Sequence, residues 1–127
     1  MDIADRQACA DLIQTWGLCR DQGRWPELLA TFHPDGQIAV SWFRGPFAEF
    51  VERCKMSFGT GTRAKHLLWP SSVHGSGTRA LAETNVTILV RQHIEGIWVD
   101  LTSLARFLDR VERREGRWRV IERAAVY

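Results

Sequence analysis

The sequence predicts an α+β domain, with helices laid across one curved sheet, and three observations predict it. Up to Phe58, three segments carry apolar residues at helical spacing, separated by Gly, Pro and one short strand. After Gly59-Thr60-Gly61 everything reads as strand, in long segments that meet at Gly75-Ser76-Gly77, Glu95-Gly96 and Glu115-Gly116. Those strands are partly apolar on both faces, whereas a sheet wet on one side alternates cleanly. The order helix–helix–strand–helix–strands then places the helices on one side of a mainly antiparallel sheet.

The first helix is predicted from Ile3 to about Gln22. Ile3, Ala8, Leu12, Trp16 and Cys19 make its apolar stripe, Asp2 or Asp5 caps its start, and Gly23 ends it. Trp25 to Phe32 reads as a short second helix with Pro26 at its first position. His33-Pro34-Asp35-Gly36 is a turn, and Gln37 to Trp42 a strand. Gly45-Pro46 breaks that strand and opens a third helix, Phe47 to about Phe58. Its buried stripe is Phe47, Phe50, Val51, Cys54 and Phe58. Then come strands from Arg63 to Val73, Thr78 to Gln92, Ile97 to Arg113 and Arg117 to Tyr127, an antiparallel meander. One face is expected to pack on the three helices and the other on a second subunit.

Composition narrows the classes. The chain's 127 residues fit one domain, 1–127, with a single core, and 45% hydrophobic with 25% charged residues is a globular balance. A formal charge of +2 does not point to a nucleic-acid partner. The three cysteines, Cys9, Cys19 and Cys54, are odd in number and show no C-x-x-C spacing, which reads as reduced thiols in a cytoplasmic protein. The N-terminus Met1-Asp2-Ile3-Ala4-Asp5 is acidic and unlike a leader, and no apolar run nears the roughly 20 residues of a membrane span. No His or Cys pair has metal-ligand spacing, so neither metal nor cofactor is expected. There is no G-x-S-x-G elbow, and Gly59-Thr60-Gly61-Thr62 lacks the lysine of a phosphate loop.

One residue stands out on electrostatic grounds. Asp21 lies in the last turn of the first helix, where carbonyl groups point outward and a carboxylate opposes the helix dipole by up to about 1 kcal/mol. It is either a turn-maker feeding Gly23 or a carboxylate placed for a task.

Asp21-Gln22-Gly23-Arg24-Trp25, Phe32-His33-Pro34-Asp35-Gly36, a Gly45 opening a helix, and above all the ending from Arg106 to Arg123 resemble the SnoaL-like branch of the nuclear-transport-factor-2-like superfamily. The resemblance spans nearly the whole chain. It implies a cone-shaped α+β barrel, three N-terminal helices packed on a curved, mainly antiparallel mixed sheet, enclosing an apolar pocket. Members include dehydratases, a dehydrochlorinase, polyketide cyclases, an isomerase and non-catalytic binding modules, so the fold leaves the activity open. The dehydratase and dehydrochlorinase members pair an Asp at the end of the first helix with a His on the first long strand after the third. Asp21, four residues before Trp25, and His66, in Lys65-His66-Leu67-Leu68, take those positions. His93 falls near a second His of scytalone dehydratase, whereas Arg20 stands where that enzyme has a Tyr beside its Asp.

The chemistry implied is cofactor-free elimination or isomerisation. A His held by an Asp has its tautomer fixed and can take a proton from a carbon beside a carbonyl. The competing reading is a core His bonded to a backbone carbonyl and a turn Asp. His93 is either a second acid or a solvated strand-end residue. Arg106 either holds a substrate oxygen or forms a salt bridge with Asp109 or Glu83. Of the six tryptophans, Trp118 is expected in the core, while Trp16, Trp42 and Trp69 are candidates to wall a pocket for a small cyclic or aromatic hydrophobic ligand; ordinary core packing is the alternative for each. His33 and His74 are expected to be exposed. The functional alternatives are a binding or partner-subunit module of the same fold and a polyketide-type cyclase. A homo-oligomer, dimer or trimer, through the sheet is expected.

Overall fold

The computed structural model describes all residues, Met1–Tyr127. Helix α1 runs Ile3–Gln22, α2 Trp25–Leu29 and α3 Phe47–Gly59. The strands are β1 Phe32–Val40, β2 Phe43–Pro46, β3 Arg63–Leu68, β4 Ser72–Ser76, β5 Arg79–Ile94, β6 Ile97–Arg114 and β7 Arg117–Val126. They form one sheet in the order β2-β1-β7-β6-β5-β3, with β4 also paired to β5. Only the β1–β7 pair is parallel; the others are antiparallel. The three helices pack on a mixed, mostly antiparallel sheet.

The α1 boundaries follow from its caps. The Asp2 carboxylate accepts from the Asp5 N–H at 2.8 Å. At the other end Gly23 takes the left-handed conformation, φ 71°, and returns its N–H to the Cys19 carbonyl. The buried face is Cys9, Ile13, Trp16, Gly17 and Cys19, while Ile3 and Ala8 are exposed. The expected stripe was therefore rotated at its start, because a five-residue step slides off the face that three- and four-residue steps maintain. Gly17 lets the helix come close to the sheet: a β-carbon there would lie 2.7 Å from Leu68 Cδ1 on β3.

Four expectations need correction. The second helix stops at Leu29. His33-Pro34-Asp35-Gly36 is no free turn but a bulge inside β1, whose register on β7 jumps from Phe32↔Val120 to Gln37↔Glu122. The expected strand Arg63–Val73 divides into β3 and β4 around Trp69-Pro70, where proline brings no N–H to a ladder. Trp42 lies in the β1–β2 turn rather than on a strand.

The sheet has two faces of different character. Ala80, Ala82, Thr84 and Val86 of β5, with Phe107, Asp109 and Val111 of β6, are buried against the helices. The alternate residues, among them Leu81, Arg106 and Leu108, lie on the outer face. The main core joins Trp16, Cys19, Leu28, Phe32, Ile38, Phe47, Phe50, Val51, Cys54, Val86, Phe107 and Val120. No helix is long and apolar enough to cross a membrane.

Candidate active site

The close approach of α1 to β3 at Gly17 carries the end of the helix over the middle of the strand. Asp21 and His66 meet there. His66 Nδ1 lies 2.6 Å from Asp21 Oδ1, and the His66 backbone N–H donates to Asp21 Oδ2 at 2.7 Å. Both side chains are nearly buried, 8% and 9% exposed. One carboxylate thus grips the residue at ring and backbone together, which fixes the ring's position and rotation. A carboxylate only accepts, so Nδ1 carries the proton and Nε2 presents a lone pair.

The electrostatics favour the neutral imidazole. Burial pushes the His66 pKa below its ordinary 6.5, Asp21 pulls it upward by hydrogen bond and charge, and the Arg20 and Arg123 charges push it down again. The net direction is downward. At neutral pH the ring is uncharged, with Nε2 free to accept a proton.

Around the ring the walls are aromatic. Trp16 meets His66 edge-to-face at 5.1 Å, and Trp16 in turn contacts Phe107 at 5.4 Å and Phe50 at 6.4 Å. Trp42 stacks on Phe50 at 5.3 Å and is 53% exposed, so a line of rings runs from the surface to His66.

Arg123 completes the arrangement, and its role was not foreseen. Its guanidinium carbon lies 4.2 Å from the Trp16 ring centroid and 4.1 Å from that of Phe107. It donates to both Asp109 oxygens at 2.6 and 3.0 Å, and neither side chain of this pair is exposed. Two buried donors are left without a partner, Trp16 Nε1 and Arg123 Nη1. The Arg123 guanidinium lies over the Trp16 ring. An unpartnered buried donor is costly, so each of the two favours an oxygen acceptor. The legible signal was Asp109, a carboxylate in register with Phe107 and Val111 on the apolar face, which demands a buried cation.

The other candidates lie apart. His93 is exposed on the outer face beside Trp98, five residues beyond the His66↔Ile88 pairing and therefore roughly 17 Å along β5. It is not brought to Asp21 and His66. Arg106 also points outward, 3.6 Å from Glu83, with both side chains about half exposed; the alternation that buries Ala105 and Phe107 turns it away. Trp69 sits in the β3–β4 link, 57% exposed, and joins none of the ring contacts around His66. His33, expected at the surface, is buried, with Nε2 2.7 Å from the Glu112 carbonyl oxygen, because the β1 bulge folds it inward. His74 is exposed. Trp118 is half-buried and donates to Asp5 at 3.0 Å.

Among the hollows of the molecule are five of about 320 to 480 Å³, and neither Asp21 nor His66 lines these five. On the Trp16 side of the pair, the rings of Trp16, Phe50 and Phe107 pack against one another. The cysteines offer no nucleophile: all three are buried, and burial pushes the Cys9 and Cys54 thiols up to about 11.

A helical layer on a curved sheet, with a buried carboxylate–imidazole pair between them, defines a class of small α+β barrels. The chain belongs to the SnoaL-like domain family, whose model matches residues 1–124. It is 25% identical over 119 residues to a PEP2-like protein of Fusarium vanettenii, and 26% identical over 117 residues to Pea pathogenicity protein 2 of the same fungus. These matches cover 91% and 90% of the chain but only 51% and 50% of the relatives, so the chain spans about half their length. Among solved structures, it is similar to a proposed scytalone dehydratase from Novosphingobium aromaticivorans. That match has a TM-score of 0.83 and 17% identity, over 97% of this chain and 83% of the other. A nuclear-transport-factor-2-like protein from Salmonella enterica gives 0.82 at 14% identity, over 95% and 89%. At such identities the likeness is one of fold, the cone-shaped α+β barrel.

Proposed function

We propose that the chain is a cofactor-independent lyase or isomerase of the dehydratase type, acting on a small cyclic or aromatic hydrophobic substrate. The observation that carries this reading is the Asp21–His66 pair, in which the carboxylate takes both Nδ1–H and the backbone N–H and leaves Nε2 as an uncharged base. In the proposed elimination, Nε2 takes a proton from a carbon beside a carbonyl. The C–H electron pair becomes the new C=C bond, and the leaving group departs with its own bonding pair. Asp21 stabilises the imidazolium formed, and the imidazolium returns its proton to a departing hydroxide, giving water. The unpartnered donors of Trp16 and Arg123 support a place for the substrate carbonyl oxygen, whose negative charge grows as the proton leaves. The substrate enters along the line of rings from Trp42, with Phe50 turning aside.

The test is a panel of cyclic β-hydroxy ketones and hydroxylated aromatics, followed by ultraviolet absorbance for new conjugation. Turnover in the wild type and its loss in His66→Ala and Asp21→Asn support the reading; turnover that survives either substitution overturns it. One observation favours a second reading, a binding or partner-subunit module: the rings of Trp16, Phe50 and Phe107 pack together on one side of His66. Ligand binding that perturbs Trp16 fluorescence without any turnover would favour it.

A further inference from the structure

The last turn of α1 carries a second charged residue, Arg20, that no carboxylate neutralises. Gly17 and Asp21, one turn apart, face β3, where Asp21 grips His66. Trp16 and Arg20 repeat that spacing about 100° round the helix and face toward α3. Contacts on either side fix this placement. Trp16 lies 6.4 Å from Phe50 between ring centroids, and Gly23 comes so close to Phe58 that a β-carbon there would lie 3.0 Å from its ring. Arg20 falls between these two contacts on α1, and Cys54 falls between them on α3. The Arg20 charge accordingly reaches both the Cys54 thiol and the His66 ring.

Arg20 is half-buried and takes part in none of the molecule's ion pairs. The carboxylates around it are spent. Asp21 holds His66 with both oxygens, Glu27 holds Arg24, and Asp109 holds Arg123. A thiol is only a weak acceptor, so Cys54 does not neutralise the guanidinium. A cation in the last helical turn gains from the helix dipole, but that gain does not require burial. Arg20 instead lies inward, beside the base and the line of rings from Trp42 through Phe50 to Trp16. An unspent guanidinium against an apolar wall suits a planar anion, which it meets with two parallel N–H donors.

We propose that Arg20 selects the ligand of this site by charge: the substrate carries a carboxylate, which Arg20 holds while an apolar ring lies along the aromatic line toward His66. One carboxylate matches one unspent guanidinium. A doubly charged phosphate would bring half its charge into a partly dry site without a counterion. The ring of the ligand is the part that suits Trp42 and Phe50, and its acid group is the part that they cannot hold. The inference rests on the proposed elimination for what happens at His66, and adds a group that the substrate bears. The substrate class becomes a cyclic hydroxy ketone or hydroxylated aromatic with a carboxylate, and Arg20 becomes its specificity-determining residue.

The test is calorimetric titration of the full chain with benzoate and with benzamide, which has nearly the same shape and no charge, while NMR follows the Trp16 indole N–H. Benzoate is expected to shift the Trp16 signal and to bind about 10- to 100-fold more tightly than benzamide. Arg20→Gln should erase that difference and leave the benzamide affinity unchanged, and Arg20→Lys should keep part of it. Arg106→Gln, on the outer face, should keep all of it. Benzoate that does not bind, that binds no better than benzamide, or that keeps its advantage in Arg20→Gln overturns the proposal; the first two outcomes need no variant to fold. A benzoate advantage that depends on Arg20, in a chain that turns over no substrate, supports this inference and sinks the elimination. Turnover of uncharged hydroxy ketones that Arg20→Gln leaves unchanged, with equal binding of the two probes, does the reverse.

Discussion

His66 and His93 lie on neighbouring strands of the same sheet, yet the structure treats them as different chemical objects. His66 is almost buried, bonded through Nδ1 to Asp21 and walled by Trp16. His93 is exposed beside Trp98 on the outer face. The arginines repeat the contrast: Arg123 is sealed between two rings and a carboxylate, whereas Arg106 shares a wet salt bridge with Glu83. The difference teaches that the inner face concentrates electrostatic effects, because little water remains to screen them. On the outer face the same residue types sit in water and salt, which screen them.

The most forceful way to break this contrast is at the pair itself. His66→Ala or Asp21→Asn should lower turnover of an identified substrate by about 10²–10⁴-fold, with circular dichroism unchanged. Next comes Arg123→Met, which strands Asp109 in the core and should cost about 3–5 kcal/mol in urea unfolding. The double change Asp109→Leu with Arg123→Met should recover much of that loss, since it removes both charges.

Proton linkage sharpens the comparison on a smaller scale. The His66 pKa is lowered by folding, so its burial as a neutral ring contributes stability that is present above the unfolded value of about 6.5. That contribution is lost as pH falls through the lower folded value. The urea midpoint should therefore drop below pH 6.5 in the wild type, and less steeply in His66→Phe. The smallest effects belong to the outer face. His93→Ala and Arg106→Gln should each leave turnover unchanged and alter stability by no more than about 1 kcal/mol.

The contrast also explains what was legible in the sequence. Helix α1 could be placed from Asp2 and Gly23, because caps and glycine turns are local. The hairpin turns at Glu95-Gly96 and Glu115-Gly116 were readable for the same reason. The meeting of Asp21 with His66, 45 positions apart, was not available from spacing and came from the family resemblance alone. His93 and Arg106 were grouped with the pair because a resemblance gives positions along the chain but not the sheet face, which only the register fixes; Trp42 and Trp69 were expected on strands and lie in links. Arg123 was missed because a charged residue near the end of a strand reads as solvent-facing. The bulge between Arg110 and Val111 is what brings it inward, and that shift leaves no local mark in the residues.

The account rests on His66 being an uncharged base with its proton fixed on Nδ1. Nitrogen-15 NMR of the imidazole reads that state directly, through the shifts of Nδ1 and Nε2 followed from pH 8 to pH 4. The account predicts a protonated Nδ1 and a bare Nε2 at neutral pH, with titration below pH 6.5. A ring that carries its proton on Nε2, or that is already an imidazolium at pH 7, would contradict it.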